Sequence, residues 1–75
     1  MKRMLVNSSS LASVAYDDDL SMLEVQYRNG GLYQYFAVPH QIFDELLAAP
    51  SKGAFVNEHI KPRFPFRCVR QPSTQ

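Results

Sequence analysis

Five cations fall in the last third of this 75-residue chain: Lys52, Lys61, Arg63, Arg67 and Arg70. Phe64 and Phe66 interleave with the last four of them. Ammonium and guanidinium groups pair with phosphates, and aromatic rings stack on unpaired bases at about 1–3 kcal/mol each. Cations and rings in one segment therefore suit single-stranded RNA. Tyr33 and Tyr35 would extend such a platform wherever their rings are exposed. The charge is polarised along the chain. Residues 1–49 carry three basic against six acidic side chains, net −3; residues 50–75 carry five against one, net +4. We expect the five cations to form one surface. The plainer alternative puts Phe64 and Phe66 in the core and leaves the cations as a solvated rim.

Other chemistries find little support. Cys68 is the single cysteine and lies in an apolar run, where thiols are usually inert. His40 and His59 are the only histidines, and neither has a histidine partner four residues on, so a two-histidine zinc-type site lacks its framework. Asp17-Asp18-Asp19 reads as a turn, because Asp favours local side-chain bonds to the backbone. Those aspartates have neither the glycine nor the terminal glutamate of a calcium loop. Asp44 and Glu45 are neighbours on an exposed helical face, and Ser51-Lys52-Gly53 lacks phosphate-loop spacing. We expect a non-enzymatic binding domain with no catalytic residue, no metal and no cofactor.

The element that must position the tyrosines is a hairpin. Leu23, Val25 and Tyr27 share one face of a strand, and Glu24, Gln26 and Arg28 share the other. A two-residue Asn29-Gly30 loop would place Tyr33 opposite Gln26 and Tyr35 opposite Glu24. A three-residue loop, Arg28-Asn29-Gly30 with Gly30 left-handed, pairs Tyr27 with Gly31, Val25 with Tyr33 and Leu23 with Tyr35. The second register gathers the large apolar groups on one side, so it is the one expected. It makes both tyrosines mostly core, with their hydroxyls reaching the sheet margin.

Leu11 to Tyr16 alternates as an earlier strand. After Val38-Pro39 the period changes to 3.6, with Ile42, Phe43, Leu46 and Leu47 on one face until Pro50. Ser51 caps a shorter second helix that ends near His59. Gly53 sits near its start, where a glycine usually answers a backbone need. Pro62 and Pro65 keep the following chain extended, and residues 64–69 can add an edge strand. The fold class expected is α+β: an antiparallel sheet of three to four strands, in the order β-β-β-α-α with an optional C-terminal edge strand, packed on one main helix. Residues 7–70 form the single domain, and 1–6 and 71–75 are flexible tails.

A hydrophobic content of 45% can fill one small core without a disulfide. The lone thiol suits a reducing compartment, Met4-Leu5-Val6 is too short for a signal sequence, and no run is long enough to span a membrane. These features point to the cytoplasm.

In order and spacing, the features resemble the KTSC domain. They are Ala15-Tyr16-Asp17, Leu23-Glu24-Val25-x-Tyr27, Asn29-Gly30, Tyr33-Gln34-Tyr35-Phe36, Val38-Pro39, Ser51-Lys52-Gly53 and Ile60. The likeness covers about residues 7–69. That family takes its name from a C-terminal extension of some lysyl-tRNA synthetases and also occurs as stand-alone small bacterial proteins, the type this chain resembles. The resemblance implies the fold boundaries, and through the synthetase context it suggests RNA, tRNA or single-stranded, as a partner. A protein-interaction module is the alternative, docking on an exposed sheet face or edge, with Met22, Leu32 and Phe36 as an apolar patch.

Overall fold

The computed structural model describes residues 1–73. Five strands form one antiparallel meander in sequence order: β1 (Lys2–Leu5), β2 (Leu11–Asp17), β3 (Met22–Tyr27), β4 (Leu32–Tyr35) and β5 (Phe66–Arg70). Helix α1 (His40–Ala48) and the short α2 (Lys52–Phe55), which runs on into a π-helical turn over Val56–Ile60, separate β4 from β5. The α+β class and the optional C-terminal strand stand, but the count of three to four strands is corrected to five.

The added strand is β1, in the stretch expected as a tail. All four of its residues are exposed, so no apolar alternation marks it in the sequence. It is held by its ladder to β2, with Lys2 opposite Tyr16 and Met4 opposite Val14. Arg3 adds a tie across the sheet. It pairs with Glu24 on β3 and donates to Ser13 Oγ at 2.8 Å; Ser13 in turn donates to Gln26 Oε1 at 2.9 Å. Gln34 Nε2 on β4 donates to Glu24 Oε2 at 3.0 Å. One polar network thus spans four strands on the face away from the helices. It satisfies Ser13 and Glu24, only 1% and 8% exposed, which would otherwise be costly to bury.

The hairpin adopts the three-residue loop. Gly30 N donates to Tyr27 O at 3.0 Å, Tyr27 N donates to Gly31 O at 2.8 Å, and Gly30 has φ +94°. Val25 faces Tyr33 and Leu23 faces Tyr35. The parity puts Val14, Tyr16, Leu23, Val25 and Tyr35 on the helix side, where they meet Val38, Phe43, Leu46, Val56 and Ile60. Burying each large apolar group contributes about 2 kcal/mol before entropy. Tyr16 stacks on Phe43 with centroids 5.0 Å apart and donates to the buried Val38 carbonyl at 2.5 Å.

Local chemistry sets the remaining joints. Asp17 Oδ1 accepts from the backbone N–H groups of Asp19 and Leu20, which turns β2 into β3. Ser51 Oγ accepts from Ala54 N at 3.3 Å and caps α2. A Cβ at Gly53 would overlap Ser10 Oγ, so this glycine permits a close approach to the loop before β2. The end of the described chain is also fixed: Ser73 N donates to Asn29 O at 2.7 Å. Residues 71–73 therefore lie along the hairpin loop rather than forming a tail; residues 74–75 of the expected tail lie outside the described residues.

Candidate functional site

Where β4 and β5 meet the π-helical turn, the helix face of the sheet opens into a cleft of about 300 Å³. Its walls are Tyr27, Tyr33, Tyr35 and Phe66, with Asn57 and Lys61 facing them across the opening. Asn29 and Pro72 line it as well. Each member has a local reason to be there. Tyr27, Tyr33 and Tyr35 share the hairpin's helix face by parity, and β5 pairing places Phe66 opposite Tyr35 and Cys68 opposite Tyr33. Asn57 and Lys61 are four residues apart on one side of the helical segment.

The rings meet mostly edge to face. Tyr27 and Tyr33 have centroids 5.5 Å apart at 84°, and Tyr33 and Phe66 lie 6.0 Å apart at 64°. Such arrangements match a ring's positive edge to its neighbour's negative face. Phe66 is 50% exposed, so part of its surface is available to a ligand. The Tyr27 and Tyr35 hydroxyls lie 3.3 Å apart and can share a proton bond. Burial, followed by the Tyr27 hydroxyl, raises the Tyr35 pKa far above the usual phenol range. Tyr33 is also raised, by desolvation first and then by the Cys68 thiol beside it. Both phenols are therefore neutral donors at physiological pH.

The structure divides the expected site residues. Tyr33 is half-buried and lines the cleft, but Tyr35 is only 1% exposed. Tyr35 is core, as the expected register requires, with its hydroxyl at the cleft, so its ring adds no stacking surface to the platform. Lys61 is in the cleft. Arg70 Nε donates to Gly30 O at 2.9 Å, which ties it to the hairpin loop that Asn29 belongs to. Arg67 pairs with Gln34, and the pleat sends both to the face opposite Tyr33 and Tyr35. The Lys52 ammonium donates to Ala49 O at 3.1 Å and serves the α1–α2 junction. The Arg63 guanidinium lies 5.7 Å from the Phe64 ring, which is half-buried against the core. The single basic surface expected from the charge balance is thus corrected: neighbours along an extended strand alternate sides.

The apolar docking patch is corrected too, since Met22 is buried and Leu32 and Phe36 are half-buried. His40 lies 3.2 Å from Asp44, and His59 packs near Phe55 with ring centroids 4.9 Å apart. Sequence reasoning missed Tyr27, Asn57 and Asn29 as site residues. The four-residue spacing of Asn57 and Lys61 was a usable signal; the π-helical turn that aims them was not.

Comparison with known proteins follows the fold closely. The KTSC domain family model matches residues 7–64. The crystal structure of a KTSC domain protein from Yersinia pestis superposes with a TM-score of 0.87 at 40% identity, covering 92% of this chain and 97% of that one. An uncharacterized protein of Stutzerimonas stutzeri (strain A1501) is 44% identical over 63 residues, 84% of this chain and 89% of its own length. A lysine–tRNA ligase of Nostoc punctiforme is 34% identical over 58 residues, which is 77% of this chain but only 10% of the ligase.

Proposed function

This chain belongs to the KTSC domain family, and we propose that it works without catalysis, as a small cytoplasmic RNA-binding domain that uses no cofactor. The observation that carries this reading is the cleft. Lys61 and Phe66, from the basic and aromatic C-terminal segment, meet Tyr27 and Tyr33 of the hairpin around one opening. A cation beside partly exposed rings supplies what an unpaired nucleotide needs, a phosphate partner and a stacking wall. The match to a short part of a lysine–tRNA ligase supports RNA as the partner class, with tRNA or another RNA bearing unpaired bases as the target.

The electrostatic share is small. Lys61 and Arg70, at the cleft and its adjoining loop, give two phosphate contacts and a log–log salt slope of about −1.4. Adding Arg63 would bring the slope to about −2.1. Fluorescence anisotropy with a labelled single-stranded oligoribonucleotide, run from low to moderate salt, tests the reading. Lys61→Ala should weaken binding to every sequence and reduce the slope by about 0.7, whereas Arg67→Ala on the opposite face should leave both unchanged.

A second reading, docking of another protein, draws on the outer edge of β5. That strand ends the sheet, and Val69 and Phe66 are 45% and 50% exposed. An extended segment could add there as a further strand. Such binding would respond little to salt, so the same titration separates the two.

A further inference from the structure

We propose that the cleft takes one unpaired nucleobase with an acceptor-rich edge, uracil in preference to adenine, and holds its adjoining phosphate on Lys61. This rests on the RNA reading above and specifies what that site selects. Size is the first argument. About 300 Å³ is the low end for small-molecule sites, enough for one ring system and its sugar but not for two stacked bases. The walls are the second. Tyr33 and Phe66 stand edge to face, so a flat ring entering beside them meets one ring face and one ring edge.

The polar inventory sets the selectivity. Asn29 Oδ1 already accepts from Gly31 N at 3.0 Å, which leaves the Asn29 amide as a donor. Lys61 has three N–H donors and no acceptor. Tyr27 and Tyr35 can form one bond between their hydroxyls, so one hydroxyl proton is left over. Burial keeps Tyr35 protonated, so the pair presents neutral hydroxyls rather than a phenolate charge. Asn57 can present either its carbonyl or its amide. The two groups whose polarity is fixed, Lys61 and the Asn29 amide, are therefore donors, while the hydroxyls and Asn57 can serve either way. A uracil edge offers two carbonyl oxygens flanking its N3–H, and that one donor can be met by a hydroxyl oxygen or the Asn57 carbonyl. Each hydrogen-bonding edge of adenine sets its amino donor beside a single ring-nitrogen acceptor, so one of the two fixed donors would face another donor. Stacking alone favours the larger purine, so a preference for uracil would report the hydrogen-bonding groups.

Two experiments separate this from the RNA reading. Uridine and adenosine 5′-monophosphates are titrated into isotope-labelled protein, following the Asn29 and Asn57 side-chain amides and the Tyr27 and Tyr33 ring signals by NMR. Labelled oligouridylate and oligoadenylate are compared in parallel by anisotropy at low salt. One hydrogen bond gained in place of a donor–donor conflict predicts about a 5- to 10-fold preference for uridylate in both experiments. Asn57→Ala and Lys61→Ala, both at exposed positions, should weaken uridylate binding while leaving the spectrum folded. Oligonucleotide binding without movement of the cleft signals, or with equal affinity for both bases, overturns this inference and leaves the RNA reading standing. No oligonucleotide binding at low salt overturns the RNA reading. The mononucleotide titration then decides the cleft alone: uridylate-selective shifts support it, and their absence overturns it.

Discussion

Raising the pH should unfold this domain through Tyr35. Its phenol is 1% exposed, and burial is the leading cause holding its pKa far above the ordinary value. In the unfolded chain the same phenol ionises near pH 10. Below that pH it is neutral in both states, and its contribution to stability is constant. Above it, the unfolded chain releases a proton that the folded chain keeps, so the stabilising effect of the buried neutral phenol is progressively lost. One proton of difference gives a slope of about −1.4 kcal/mol per pH unit. By about pH 11.5 Tyr35 alone should remove about 2 kcal/mol, a large share of the stability of a small domain. Tyr33 is shifted in the same direction, by desolvation and by Cys68, and steepens the decline. Urea denaturation followed by circular dichroism at a series of alkaline pH values measures the slope. Phenolate absorbance counts which of the four tyrosines ionise while the protein is folded. Tyr35→Phe should flatten the decline by about 1.4 kcal/mol per pH unit. A Tyr35→Phe variant with the parent's slope, or four tyrosines titrating as one class near pH 10, would refute the reasoning.

Other positions test the fold. Gly30→Val places a β-branched residue at φ +94°, with its Cβ 3.0 Å from Ser73 Oγ, and should cost about 1–2 kcal/mol in urea denaturation. Tyr16→Phe keeps the stack on Phe43 but strips the buried Val38 carbonyl of its donor; a loss of about 1–2 kcal/mol is expected, seen as a drop in Tm of about 4–16 °C.

The hairpin was legible because loop length, strand parity and the placement of apolar groups all favour the same register. Leu23 and Val25 can join the core with Tyr35 only if Gly30 turns left-handed, and the structure has both. Helix α1 was legible for a similar reason, since Pro39 and Pro50 bracket a single amphipathic period. Strand β1 was not, because Lys2–Leu5 buries nothing and is held by its backbone ladder to β2 and by Arg3 reaching Glu24, two strands away. The site was half legible. Lys61, Phe66 and Tyr33 carry the right chemistry in sequence, but proximity along β5 says nothing about which side of the sheet a residue faces. Arg67 shows this: it sits next to Phe66 in the chain and on the other face in the fold. Asn29 and Pro72 come together only because the end of the described chain folds back on the hairpin loop.

Anisotropy of a labelled single-stranded oligouridylate, titrated at low salt with the parent protein, Lys61→Ala and Arg67→Ala, tests the central claim most directly. The account predicts binding by the parent with a salt slope of about −1.4 to −2.1, a weaker Lys61→Ala with a slope shallower by about 0.7, and an Arg67→Ala indistinguishable from the parent. Absence of binding at low salt, where phosphate attraction is strongest, or equal losses from Lys61→Ala and Arg67→Ala, would contradict it.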